Sequence, residues 1–320
     1  MKSQSQALAF FIFLKNLFRL LAYPIAMFKK LCLIFFLIPL AGSWVHAQFV
    51  REYRVPANYG IEKVNLNFSS YKSETQVKRN AGMDPLTIHG HLLQANILPD
   101  FRSTTSKNGV TASLVHKNIE SDNLGKSITS KLFSTTNGFD HTWDVGLTSG
   151  YTYDLEFNLG MGTADFDLAQ LAIASLKIKS ASADVSIHNS STSPNLIGMD
   201  TLLVTLNMGI VDLSQAQQTQ AKKIIIEVNY GEINLNYGLG QTSKGQVIAA
   251  VGGGTIYLKL PPVSNPVKIR MKTTPLCRTS IPEYLRAIGE DVYVTKGYAA
   301  SDPRLLEFVL DVGVGSITIE

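Results

Sequence analysis

Two short patterns place side chains that could do chemistry on one face of a strand. His89 and His91 form a His-x-His pair, and Asp165 and Asp167 form an Asp-x-Asp pair. Successive side chains of a strand point to opposite faces, so the members of each pair share a face. Paired imidazoles occur in zinc sites, whereas paired carboxylates can serve as the acid and base of a glycoside hydrolase.

The histidine pair lacks the partners that a metal site needs. No third ligand is spaced to join His89 and His91, and three further histidines, His116, His141 and His188, are scattered singly along the chain. A closed zinc site takes four ligands from the protein, and a catalytic one takes three. The sequence therefore predicts no metal site.

The carboxylate pair and a glycine run also predict no active site. Acidic and amide residues recur at the places of Asp165 and Asp167 in the other repeats, which is typical of a solvated strand face. The run Gly252–Gly254 is not followed by Lys-Ser/Thr and no helix begins there, so it predicts a strand turn rather than a phosphate loop. A Gly-x-Ser-x-Gly nucleophile elbow is missing from the sequence. We therefore expect no catalytic or cofactor-binding residues, and a protein that is not an enzyme.

A repeat of two alternating strands around a small-residue turn must position these residues. The clearest copies lie between residues 153 and 260, and a looser one ends the chain. In the first copy Phe166 falls on one face and Asp165 and Asp167 on the other, so we expect a buried ring between two solvated carboxylates. One copy alone could be an ordinary hairpin, but repeats of 20 to 27 residues indicate stacked coils. The turns are centred on Gly162, Ser182, Gly209, Gly231, Gly254 and Gly315.

These repeats resemble a known family. The run from WDVGL at Trp143 continues through YDLEFNLGMGTADFDLAQLAIASLKIKSASADVSIHN, MDTLLVTLNMGIVDL and IIIEVNYGEINLNYG. It is similar to the bacterial toast-rack family of envelope proteins, related to adhesin-type and cell-wall-stress-response β-solenoid domains. The resemblance covers roughly residues 60 to 320 and implies an exported all-β roll, or β-solenoid, of stacked short strands. It brings no active-site residues.

The segment 275–303 interrupts the repeat and carries one helix signal. In SIPEYLRAIG, Ser280 can cap a helix, Pro282 suits its first turn and Gly289 can close it. We therefore expect one short helix near the C-terminal end. The segment could cap the open end of the stack, bind a partner, or merely connect two strands.

The first 47 residues have the pattern of an export signal. They contain five basic and no acidic residues, an apolar run from Leu31 to Leu40, and a small-residue site at Val45–Ala47. The apolar run after Lys30 is too short to span a bilayer. We predict a signal peptide over residues 1–47 with cleavage after Ala47, and we favour Met27 as the translation start. Residues 48–320 are then one β domain with no membrane-spanning segment.

Removing the leader changes the charge and the cysteine content. The whole chain has a formal net charge of +4, and the remaining 24 basic and 25 acidic residues give −1. Nothing then favours a nucleic-acid partner, which would require a basic stripe. Cys32 lies within the leader, so Cys277 is left alone and we expect a free thiol in the monomer.

These observations favour an exported, non-enzymatic structural or adhesion-type module in the periplasm or at the cell surface. Its partner would be an envelope glycan or an envelope protein, and no cofactor is implied. Two alternatives remain open: a carbohydrate-active β-solenoid enzyme, and a regulator of envelope stress signalling. The sequence does not indicate an oligomeric state.

Overall fold

Long strands bent near their middle carry most of the fold. A computed structural model describes residues 49–58, 60–92, 99–116, 141–238 and 244–320. These ranges hold sixteen β-strands and one 3-10 turn, Ala216–Thr219, with no α-helix among them. The predicted all-β class is confirmed. The predicted signal peptide, its cleavage site and Cys32 lie outside the described residues.

The strands form one open sheet. Their bounds are β1 Phe49–Val55, β2 Lys63–Asn80, β3 Leu86–Leu92, β4 Asp100–Thr105, β5 Gly109–Val115, β6 His141–Thr148, β7 Thr152–Asp167, β8 Ala172–His188, β9 Met199–Leu213, β10 Ala221–Asn236, β11 Gly245–Lys259, β12 Val267–Thr273, β13 Cys277–Ser280, β14 Arg286–Gly289, β15 Val292–Val294 and β16 Leu306–Ile319. Across the described ranges, no helix is long and apolar enough to cross a membrane.

Seven long strands stack in parallel and in register. Their order is β2, β7, β8, β9, β10, β11 and β16, so the last strand of the chain lies beside β11. Gly231 of β10, for example, lies opposite Gly209 on one side and Gly254 on the other. Each predicted repeat is therefore one bent strand paired with its neighbours, rather than a hairpin paired with itself.

Glycine forms the corner because the coils approach closely there. Gly231 has a φ of +148°, and a Cβ at this position would lie 1.9 Å from the carbonyl oxygen of Gly209. Only a residue without a side chain fits that conformation and contact. The second corner is an exception to the prediction, because Ala183 and not Ser182 lies opposite Gly162. Without a glycine, the sequence did not mark this corner, and the predicted turn was one residue early.

The corner divides each coil into a first arm and a second arm, whose inner side chains form the core. Phe157 on the first arm of β7 packs edge-to-face on Phe166 of the second arm, with ring centroids 4.9 Å apart. Both rings are fully buried, whereas Asp165 and Asp167 face outward. The predicted assignment of faces is confirmed.

Shorter strands extend the stack at both ends. At one end, β5 pairs with the first arm of β2 and β6 with its second arm, and β3, β1 and β4 follow antiparallel. At the other, β12 and β13 pair with the two arms of β16, and β15 and β14 extend β12.

The predicted helix in SIPEYLRAIG is wrong. Ser280 ends β13, which pairs in parallel with β16, while Gly289 ends β14, which pairs with β15. A two-turn helix is unstable by itself because its first turn is costly to form. The ladder hydrogen bonds and the buried side chain of Leu285 stabilise the strand conformation instead.

Candidate functional site

An unbroken row of polar side chains crosses the outer face of the second arms. It runs over eleven neighbouring strands, and none of its members is buried. We call this row the polar ladder. Its members, in spatial order, are Glu52, His89, Asp144, Gln76, Asp165, Ser186, Asp212, Asn234, Tyr257, Thr318 and Ser280.

Strand geometry fixes the spacing of the polar ladder. Neighbouring strands lie about 4.8 Å apart, so eleven side chains span roughly 48 Å. On the seven long strands each member is the third residue after the corner, as Asn234 is after Gly231 and Tyr257 after Gly254. Alternation turns this position outward, because its two neighbours along the strand, such as Ile256 and Leu258, are buried.

A depression of about 230 Å³ surrounds Tyr257, in the part of the ladder formed by β9, β10, β11 and β16. The ring is 44 % exposed and lies between Asn234 and Thr318 in register. The depression thus joins an apolar ring face to amide, hydroxyl and carboxylate groups. Its outward side chains are Asp212, Ser214, Asn234, Asn236, Tyr257, Lys259, Thr318 and Glu320.

A second depression of about 290 Å³ lies in the part of the ladder formed by β3, β6 and β2. His91, Thr142 and Asp144 line it, with His91 opposite Thr142 in register. His89 and His91 share the outer face of β3, as the sequence predicts. Within the described ranges, no group of three His, Cys, Asp or Glu side chains could hold a metal ion.

The two aspartates of the Asp-x-Asp pair have separate structural partners. The Asp165 carboxylate lies 3.3 Å from Nδ1 of His188. Oδ1 of Asp167 accepts hydrogen bonds from the backbone N–H groups of Ala169 and Ser190, both at 3.0 Å. Burial raises the pKa of Asp167, but the hydrogen bonds from Ser190 and Ala169 outweigh it and hold the pKa below its usual value. Asp167 therefore fixes the loops that follow β7 and β8.

The glycine run and the lone cysteine that the sequence analysis considered both lie on strands. Gly252–Gly254 lie within β11 at its corner, in agreement with the predicted strand turn. Cys277 is a free thiol in the described residues, partly exposed at the start of β13. Burial raises the pKa of this thiol, which makes it a weak nucleophile.

Sequence reasoning missed a buried histidine pair. His116 and His141 stand alone in the sequence, yet their rings meet edge-to-face with centroids 4.7 Å apart, next to Trp143. Both ring nitrogens of His116 lack a hydrogen-bond partner among the described residues. Burial is the main cause and the neighbouring His141 the second cause of a lowered pKa of His116, which falls from 6.5 to about 4. Only the pairing of β5 and β6 on the two arms of β2 brings these residues together.

Comparison with known proteins identifies no family for this chain. No family model and no curated protein matches it. One similar crystal structure, described provisionally as a cell adhesion protein of Clostridium sporogenes, has 16 % identity and a TM-score of 0.46, covering 85 % of this chain and 99 % of its own. Another, described provisionally as an adhesin of Bacteroides fragilis, has 14 % identity and a TM-score of 0.33, covering 86 % and 97 %. At these values neither structure indicates what this chain binds.

Proposed function

We propose that this chain is an exported β-solenoid module of the cell envelope that binds an extended glycan along the polar ladder and catalyses no reaction. The observation that carries the proposal is the depression around Tyr257, where an exposed aromatic ring lies among polar side chains. The polar ladder continues from this depression over eleven consecutive strands. The leader pattern of residues 1–47 supports export.

The chemistry of the ladder suits sugar hydroxyls. A hydroxyl both donates and accepts hydrogen bonds, and the ladder offers carboxylate acceptors, amide groups and hydroxyls in alternation. Tyr257 adds an exposed aromatic face with a polar tip, a combination enriched where ligands bind. Many weak contacts along one polymer add up through multivalency.

The charges of the ladder favour a neutral polymer. Four members are carboxylates, Glu52, Asp144, Asp165 and Asp212, whereas His89 is the only basic member. The carboxylates of a polyuronate would repel the four ladder carboxylates. Salt screens this repulsion only partly where the groups are partly buried. A neutral glycan avoids this cost.

The proposed absence of catalysis is supported by the roles of the two best acid–base candidates. Asp167 holds two backbone N–H groups, and Asp165 lies beside His188. These contacts favour structural roles for the two carboxylates over the roles of a matched acid and base.

The test compares two exposed tyrosines. We would measure binding of the purified protein to a neutral β-glucan, a mannan and the uronate polymer alginate by isothermal titration calorimetry. Tyr257→Ala should weaken binding to the neutral polymer about tenfold, because the aromatic face of the ladder is lost. Tyr230→Ala is the matched control, since Tyr230 is 67 % exposed but lies at a corner outside the depression.

Three results would contradict the proposal. The first is equal losses in the two tyrosine variants, and the second is a preference for alginate. The third is turnover of a polysaccharide that Asp165→Asn abolishes while the fold persists, which would instead indicate a carbohydrate-active enzyme.

A further inference from the structure

The outer face of the first arms differs in chemistry from the polar ladder. Four aliphatic side chains face outward there in register on adjacent strands, and all are partly exposed. Outward positions on a solvated sheet are normally polar, so this aliphatic strip is a candidate contact surface for a partner. The strip consists of Leu203, Ile225, Ile248 and Val309.

Charged strands flank the strip in a regular order. From β7 to β12 the outward side chains are acidic on β7 and basic on β8; on β9 to β11 an aliphatic residue stands at the centre of each strand with polar, charged or small neighbours. β16 then has acidic residues on both sides of Val309, and β12 is basic. Within one chain some of these charges already pair, as Lys179 does with Glu156 and Lys268 with Glu307. The charged members are Asp154, Glu156, Lys177, Lys179, Glu307, Asp311, Lys268, Arg270 and Lys272.

The charge pattern is self-complementary about β10: when the strand order is reversed, acidic strands lie opposite basic ones. β10 is the fourth of the seven strands β7, β8, β9, β10, β11, β16 and β12. A two-fold axis parallel to β10, lying between two copies, would bring each strand over the one equally far on the other side. Acidic β7 then faces basic β12, and Lys179 of β8 faces Asp311 of β16, whereas Lys177 of β8 faces the aliphatic Val309.

We propose that this face is a homodimer interface, with a second copy of this chain as its partner. Through the register of the sheet, Asp154 would face Lys268 of the other copy, Glu156 would face Arg270, and Lys179 would face Asp311. In the centre, Leu203 meets Ile248, and Ile225 meets its own counterpart. Such an isologous contact is the usual arrangement of a two-fold dimer.

One feature of β10 opposes the association. Lys223 and Glu227 flank Ile225 on the outer face, so each faces its own counterpart near the axis. Like charges that are directly opposite destabilise a contact. Replacing Lys223 by Gln should therefore tighten the dimer.

The size of the face is sufficient for a moderate interface. Seven strands at about 4.8 Å and five residues at about 3.3 Å give roughly 550 Å² per copy, or about 1,100 Å² for two. Specific interfaces exceed about 1,000 Å², whereas lattice contacts stay mostly below about 800 Å². Sheets packed face to face in this way lie about 10 Å apart.

The test measures the mass of the purified full chain by analytical ultracentrifugation over a range of concentrations. The wild type should be a dimer that dissociates on dilution. Ile225→Lys should lose the dimer, because it places two lysines against each other at the axis. Ile210→Lys is the matched control, since Ile210 is an exposed isoleucine on the second arm, and it should leave the dimer intact.

A charge swap separates dimerisation from folding. Lys179→Glu and Asp311→Lys should each raise the dimer dissociation constant about tenfold, and the double variant should return within about threefold of wild type. Within one chain the swapped groups stay next to Glu156 and Lys272, so rescue cannot come from contacts inside the monomer. A monomeric wild type, a dimeric Ile225→Lys, or a double variant as weak as the singles would overturn the proposal.

Discussion

The substitution Gly231→Ala tests how closely the coils approach at their corners. The new Cβ would lie 1.9 Å from the carbonyl oxygen of Gly209, where ordinary contacts begin at 3.4 Å, so the two coils must move apart by about 1.5 Å. Steric overlap of this kind costs about 1 to 3 kcal/mol. The φ of +148° adds about 1 to 3 kcal/mol of backbone strain for a residue with a side chain. We therefore expect a loss of about 2 to 6 kcal/mol in the free energy of unfolding.

Urea denaturation followed by far-UV circular dichroism measures this loss. With a slope of about 2 to 3 kcal/mol per molar, the midpoint should fall by roughly 1 to 3 M. Gly198→Ala is the control, because a Cβ there meets no atom within 4 Å, and it should change stability by less than about 0.5 kcal/mol. If the two variants were equally stable, the close carbonyl contact at the corner would be wrong.

Substitutions at three further positions test the core, a loop anchor and a buried histidine. Phe166→Asp should prevent folding, because losing the buried ring alone costs about 3 to 5 kcal/mol and an unpaired carboxylate is added; a folded variant in circular dichroism would mean that the faces are misassigned. Asp167→Ala should cost about 1 to 2 kcal/mol in urea denaturation and Asp167→Asn under about 0.5 kcal/mol, since only Asn keeps the oxygen that accepts from Ala169 and Ser190; equal costs would show that this oxygen is not the anchor. The pKa of His116 is lowered from 6.5 to about 4 in the folded state, so the unfolded state takes up the proton first and stability should fall as pH drops from 6.5 to 4. The slope is at most about 1.4 kcal/mol per pH unit, and His116→Phe should reduce it in pH-dependent urea melts; an unchanged slope would exclude His116.

Local pattern was sufficient to predict the faces of the strands. Period-two alternation placed Phe166 inside and Asp165 outside. The corner glycines could be predicted because positive φ and close backbone contact both require Gly. Where glycine is missing, as at Ala183, the same reasoning missed the corner by one residue.

Long-range pairing could not be predicted from the sequence. β16 ends the chain but lies between β11 and β12, and β2 begins the stack although its corner at Ser73 carries no glycine. The helix predicted around Ser280 was wrong for a related reason. The prediction used local residue preferences, whereas pairing with the distant strand β16 determines the conformation. The depression around Tyr257 also depends on this order, since it includes Thr318 of β16.

Carboxylate footprinting along the stack tests the glycan-binding proposal most directly. The purified protein would be labelled with a water-soluble carbodiimide, with and without the neutral polysaccharide that binds best, and the modified residues identified by mass spectrometry. The proposal predicts that Asp144, Asp165 and Asp212 of the polar ladder lose label when the polymer is bound, whereas the exposed Glu283 and Glu290 outside the ladder keep theirs. Unchanged labelling of the three ladder carboxylates under saturating polymer, or protection confined to residues outside the ladder, would contradict it.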